Sequence, residues 1–115
     1  MASDDWHRKN AKITRTMFGW EDHGILTFVL TLDYGGSGQG AGMICLSGGK
    51  PTTYMERGLE LLADLMGAVG VERWEDLPGK SVVALFNRDE WSSPVRGIEN
   101  FLGDKRVVWT DYADG

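Results

Sequence analysis

The chain reads as an α+β domain. It is a mostly antiparallel sheet in the order βββαββ, with a sixth strand allowed for at the C-terminal end and one main amphipathic helix packed on it. Three observations predict this. Residues 25–34 alternate, with Leu26, Phe28, Leu30, Leu32 and Tyr34 on one face and Thr27, Thr31 and Asp33 on the other. Short glycine-bearing or polar breaks flank that run on both sides, and short connections join antiparallel strands. Downstream of Pro51, apolar residues instead recur at helical spacing.

Residues 1–10 form a polar leader and residues 11–115 a single domain, because 115 residues fall within the roughly 100–200 of one folding unit. Residues 11–20, rich in Thr, Ile and aromatics, are the first strand. Glu21-Asp22-His23-Gly24 stops it as a hairpin turn, with Gly24 able to take φ > 0. Residues 25–34 are the second strand, and GGSGQG, residues 35–40, returns the chain into a third at 41–47. Gly48-Gly49-Lys50-Pro51 breaks that strand, and Thr53-x-x-Glu56 is a capping box ahead of the helix. Met55, Leu59, Leu62, Met66 and Val69 make the helix's apolar stripe, which packs on the Leu-rich face of the sheet, and Gly67 and Gly70 end it. Residues 71–80 are a polar connector with one buried tryptophan, Trp74. Residues 81–87 are a strand, 88–94 a loop, and 95–102 and 106–110 supply one or two strands more.

Composition bounds the function. A hydrophobic share of 42% and a charged share of 25% match globular averages, so the chain can bury a core. Seventeen acidic against twelve basic residues give a net charge of −5, a field that repels DNA, RNA and anionic membranes and leaves an anion only a local basic pocket. One Cys forbids an internal disulfide, and His7 and His23 offer no zinc spacing. The opening MASDDWHRKN places acids where a signal peptide needs a basic stretch, and no apolar run reaches membrane-spanning length. A cytoplasmic protein without metal or cofactor is expected.

Several catalytic patterns fail on context. Gly36-x-Gly38-x-x-Ala41 follows a strand as a dinucleotide loop does, but it leads into another strand rather than a helix. Gly79-Lys80-Ser81 resembles the end of a P-loop, yet the required first glycine falls on Trp74. Cys45, between Ile44 and Leu46 in a strand, reads as small apolar packing. Glu21-Asp22-His23 could serve acid/base chemistry, but a side chain bonding its own turn explains it as well. The chain therefore does not read as an enzyme.

Residues suited to binding remain. Trp20, Trp91, Trp109, Tyr34 and Tyr54 offer flat faces for a base, and Arg57, Arg88, Arg96, Lys105 and Arg106 offer donors for phosphate or hydroxyl groups. Trp20 and Trp109 read as core or dimer-interface residues, whereas Trp91 lies in a polar loop where a large aromatic marks recognition. Arg57 lies in the first turn of the helix, whose dipole already favours an anion, and the neighbouring Gly58 implies close approach by a ligand, another chain or the sheet. The glycine loop at 35–40 is either an anion cradle or a plain hairpin tip.

Across AKITRTMFGWEDHGILTF, LDYGGSGQGAG and GLELLADLMGAVGVERWEDLPGKSV the chain resembles the first type of phage Thoeris anti-defence proteins. These are sponges for cyclic ADP-ribose-type signals made by bacterial TIR-domain enzymes. The resemblance implies a non-catalytic protein with an antiparallel sheet and a helix, assembled as a homodimer or a dimer-based hexamer, with the signal held at subunit contacts. It also implies cyclic trinucleotides as a second ligand class, and ligand contacts from the Asn and Arg residues of the C-terminal segment, here Asn87, Arg96, Asn100 and Arg106. The chain departs from the family pattern at Ala41-Gly42-Met43 and from Asn87 onward.

Two principal readings follow. The first is a nucleotide-signal sponge in the cytoplasm of an infected host cell, with Arg57, Trp91, Asn100, Arg106, Asn87 and Arg96 as ligand contacts. The alternative is a small phage interaction module that docks onto a host protein through a Trp-rich surface. A single-stranded nucleic-acid binder is disfavoured by the charge.

Overall fold

The computed structural model describes residues 6–20, 26–47, 51–86 and 94–112, apart from the side chains of 42–47, 51–57 and 110. Six strands, β1 (His7–Trp20), β2 (Leu26–Asp33), β3 (Gly38–Ser47), β4 (Ser81–Phe86), β5 (Gly97–Glu99) and β6 (Arg106–Val108), form one antiparallel sheet in the order β3-β2-β1-β4-β5-β6. One helix, α1 (Pro51–Val69), packs against it, so the fold is α+β as its alternation and helical stripe predict. The sixth strand, left open by the sequence, is present as β6. Among the described residues no helix is long and apolar enough to cross a membrane.

β1 organises the sheet. Its residues Lys12 to Trp20 pair with β2, while His7 to Lys12 pair with β4 on the other edge. The polar leader expected over residues 1–10 is therefore shorter, because His7 to Asn10 hydrogen-bond into the sheet and Trp6 packs on Val83, Leu85 and Val108. Polarity misled here because alternation shares these residues between the two sides of the sheet, with Arg8 and Asn10 paired to Leu85 and Val83 on the outer side and His7 and Lys9 against Phe86 on the other.

A bulge between Ile13 and Arg15 inserts Thr14 and switches the parity of β1. Directly paired residues share a face, so Ala11 and Ile13, then Thr16, Phe18 and Trp20, join Leu26, Phe28, Leu30 and Leu32 on the side covered by α1. Arg8, Asn10, Lys12, Arg15, Met17 and Gly19 fall on the opposite, outer side. The covered side holds the main core: Ile13, Phe28, Leu30, Leu61, Leu65, Val82, Phe86 and Ile98 are at most 1% exposed. Burying each such side chain contributes about 1.5–3 kcal/mol.

The helix buries Gly58, Leu61, Leu62, Leu65 and Ala68, with Val69 half-buried against the core. Leu59, assigned to the apolar stripe from its spacing, is instead 65% exposed. The stripe is rotated because a helix lying on a sheet needs a face only about 100° wide, and Leu61 and Leu65 define its centre. Gly67 does not end the helix. Gly70 does, with φ +95, as its N–H and that of Val71 both bond the carbonyl of Met66 at 2.8 and 3.0 Å.

Trp109 is core, as expected. It is 5% exposed, its ring meets Phe28 edge-on at 5.4 Å, and its Nε1 donates to the Val95 carbonyl at 2.9 Å. Trp20 is not core: it is 64% exposed, beyond the area that α1 covers. Trp74 is half-buried, edge-on to Phe28 and tilted on Phe18.

Candidate ligand-binding face

The outer side of the sheet, away from α1, gathers charge. Arg8, Lys12 and Arg15 lie along β1 on this side, and Arg106 reaches it from β6. Along the sequence these cations look scattered. The bulge at Thr14 brings Arg15 into the same row as Arg8 and Lys12, since simple alternation would have turned it inward.

Beneath part of this row lies a second, smaller apolar cluster of Val83, Leu85 and Val108, flanked by Trp6. Glu99 of β5 is set into it at 3% exposure. Its Oε1 accepts from Arg8 Nε at 2.8 Å, and its Oε2 accepts from Arg106 Nε and Nη2 at 3.2 and 2.8 Å. The hydrogen bond from Arg8 is the largest influence holding the Glu99 carboxyl below its ordinary pKa; burial pushes the other way, and Arg106 adds to the lowering. β5 can lie so close to β6 because residue 97 is glycine. A Cβ there would stand 2.4 Å from the Val107 carbonyl oxygen.

Next to this clamp, where β2 and β4 part from opposite edges of β1, a shallow cleft of about 280 Å3 opens. Asn10, Lys12, Asp33, Ser81 and Phe101 line it, with Tyr34 at its end. Phe101 is 59% exposed, a flat face beside a cation and two hydrogen-bonding side chains. The Tyr34 hydroxyl donates to Gln39 Oε1 at 2.8 Å, and burial raises its pKa to about 12, so it stays protonated. On the covered side, Lys9 Nζ stands 4.7 Å from the Tyr34 ring centroid and 5.8 Å from that of Phe86.

The glycine loop is a hairpin connection rather than an open cradle. Tyr34 N–H bonds the Ser37 carbonyl at 2.7 Å, and the Gly35 N–H is already taken by Asp33 Oδ1 at 2.9 Å. An internal carboxylate thus occupies the position an external anion would need.

The predicted site residues are divided by the fold. Arg106 is held in the clamp on the outer face. Asn100 organises the β5–β6 loop, its Oδ1 accepting from the N–H groups of Gly103, Asp104 and Lys105 at 2.9, 3.1 and 3.3 Å while its Nδ2 donates to Asp104 at 2.7 Å. Arg96 precedes Gly97 and stands level with the buried Trp109, which puts it on the opposite side of the sheet from Arg106. The Arg57 side chain, Asn87 and Trp91 lie outside the described residues, as do Glu21-Asp22-His23 and the Cys45 side chain. Sequence reasoning missed Lys12, Arg15 and Phe101. The one available signal was their recurrence within runs that fold as strand and strand end.

Among the described residues no three His, Cys, Asp or Glu side chains are grouped to hold a metal. No family model, no curated protein and no solved structure matches this chain.

Proposed function

We propose that this protein is a non-catalytic sponge that binds a cyclic nucleotide signal of the cyclic ADP-ribose class, and cyclic trinucleotides as a second class, to block a bacterial anti-phage defence in the host cytoplasm. The observation that carries the reading is the row of cations on the outer sheet face beside the Phe101 cleft, in a molecule of net charge −5. Lys12 and Arg15 suit phosphate oxygens, Phe101 suits a base, and Asn10, Ser81 and Asp33 suit ribose hydroxyls.

Depleting a scarce signal requires a dissociation constant of about nanomolar, or roughly −12 kcal/mol. A cleft of about 280 Å3 is at the lower limit of small-molecule sites and open on one side. A second subunit closing over the ligand supplies the missing contacts, which accords with a homodimer or a dimer-based hexamer.

Titration calorimetry with a panel of cyclic ADP-ribose isomers and cyclic trinucleotides tests this, followed by heat release and chromatography of the ligand. Tight binding, intact ligand on release, and at least about tenfold weaker binding in Lys12→Ala and Arg15→Ala are expected. Silence with every isomer and trinucleotide would overturn the reading. It would favour the docking module instead, for which the exposed Phe18 and Trp20, at 45% and 64%, are the specific evidence.

A further inference from the structure

Four of the residues lining the Phe101 cleft stand in one row across the sheet. Asp33 of β2 pairs with Lys12 of β1, and Lys12 pairs in turn with Ser81 of β4. The β4–β5 pairing ends at Val83 with Glu99. Continuing that register by two residues brings Phe101 level with Ser81, on the same outer side as Glu99. A carboxylate, an ammonium, a hydroxyl and an aromatic ring thus follow one another in order.

The four are not held in the same way. Strand pairing fixes Asp33, Lys12 and Ser81. Phe101 lies past the end of β5, in the turn toward β6, and with its ring 59% exposed its place depends on how that turn is folded.

Asn100 folds it. Its backbone N–H donates to the Lys105 carbonyl and its carbonyl accepts from the Gly103 N–H, both at 3.1 Å. Within the turn its side-chain oxygen accepts from the N–H groups of Gly103, Asp104 and Lys105 at 2.9, 3.1 and 3.3 Å. The bond from Nδ2 to Asp104 at 2.7 Å fixes which way the amide faces. Gly103, at φ +80, supplies the left-handed step that the turn requires. The outcome selects between two apolar neighbours: Phe101 lines the cleft, while Leu102 stands outside it, 86% exposed.

We propose that Asn100 is a positioning residue. By folding the β5–β6 turn it sets the Phe101 ring at the end of the row, where the ring stacks on the base of the bound nucleotide, and it does so without touching the ligand. This rests on the nucleotide reading of the cleft and gives the ligand a direction: base over Phe101, ribose hydroxyl toward Ser81, phosphate toward Lys12. A ring already in place need not be ordered when the ligand arrives, so losing Asn100 weakens binding through Phe101 alone.

Two measurements on the full chain test this. Without ligand, NMR should show contacts between the Phe101 ring and Ser81 in the wild type that weaken in Asn100→Ala and in Gly103→Ala. With the cyclic ADP-ribose isomers and cyclic trinucleotides, calorimetry on a double-mutant cycle reads the coupling. Phe101→Ala and Asn100→Ala should each weaken binding about tenfold, the worth of one stacked base. The double variant should bind no worse than Phe101→Ala alone. Asn100→Asp combined with Asp104→Asn exchanges the carboxylate and the amide, and should restore most of the affinity. Losses that multiply to about a hundredfold in the double variant would overturn the proposal, because Asn100 would then contact the ligand or act through the fold at large. Unchanged ring contacts in Asn100→Ala would overturn it with no ligand present. Silence from the wild type with every probe would overturn the sponge reading and the role of Asn100 with it, whereas binding that Asn100→Ala leaves intact overturns the role of Asn100 alone.

Discussion

On the side of the sheet that α1 covers, Phe28, Leu30 and Ile98 are fully buried among apolar neighbours; on the outer side Leu85 is equally buried, but beside a carboxylate gripped by two arginines. The same strands supply both faces. Transfer of apolar area carries the first, with a contribution that grows with each side chain added. The second sets desolvation of Glu99 against the attraction of Arg8 and Arg106, so its net contribution is small even though losing one partner is costly. The covered face therefore anchors the fold, and the outer face positions cations that a purely apolar surface could not hold.

This contrast fails first if the covered core is not the stronger of the two faces. Phe28→Ala should cost about 3–5 kcal/mol, because the ring fills space between Trp74 and Trp109. A lower urea midpoint at unchanged slope checks it. Glu99→Gln should cost less, roughly 2–4 kcal/mol, since both arginines keep about a third of their side-chain surface in water. If Glu99→Gln proved the more destabilising, the outer clamp and not the core would be the anchor.

The clamp also sets an acid limit. The folded pKa of Glu99 lies below its unfolded value, so its stabilisation is complete above the ordinary glutamate value of about 4.3 and is lost as pH falls through the lower folded value. Unfolding curves across that window should show the wild type losing stability toward the Glu99→Gln level, with the gap between them closing at low pH. A gap that stays constant would mean the carboxylate's charge is irrelevant to the clamp.

What the sequence made legible, and what it hid, follows the same division. Alternation in β2 and the glycine at position 70 are local signals, and both read correctly, because a half-buried strand and a left-handed helix end each impose their own pattern. The bulge at Thr14 has no such mark, and without it Arg15 and Met17 count as inward and the basic row disappears. The clamp joins Arg8 to Glu99 across 91 positions, and no spacing rule reaches that far. Asn100 looked like a ligand contact because its chemistry suits one, but an amide at a tight loop satisfies three backbone N–H groups first.

The smallest expected effect sharpens the comparison by turning to two glycines that the faces use differently. Gly97, on the outer side, is required: a Cβ would lie 2.4 Å from Val107 oxygen and 3.0 Å from Val108 Cα, so alanine there must push β5 from β6 and loosen the Glu99 clamp. Gly67, on α1, is not required by any described neighbour, and Gly67→Ala should stabilise the chain by up to about 1 kcal/mol, seen as a rise in Tm of roughly 3–6 °C. A fall in Tm for Gly67→Ala would mean that the helix needs its glycine for packing after all.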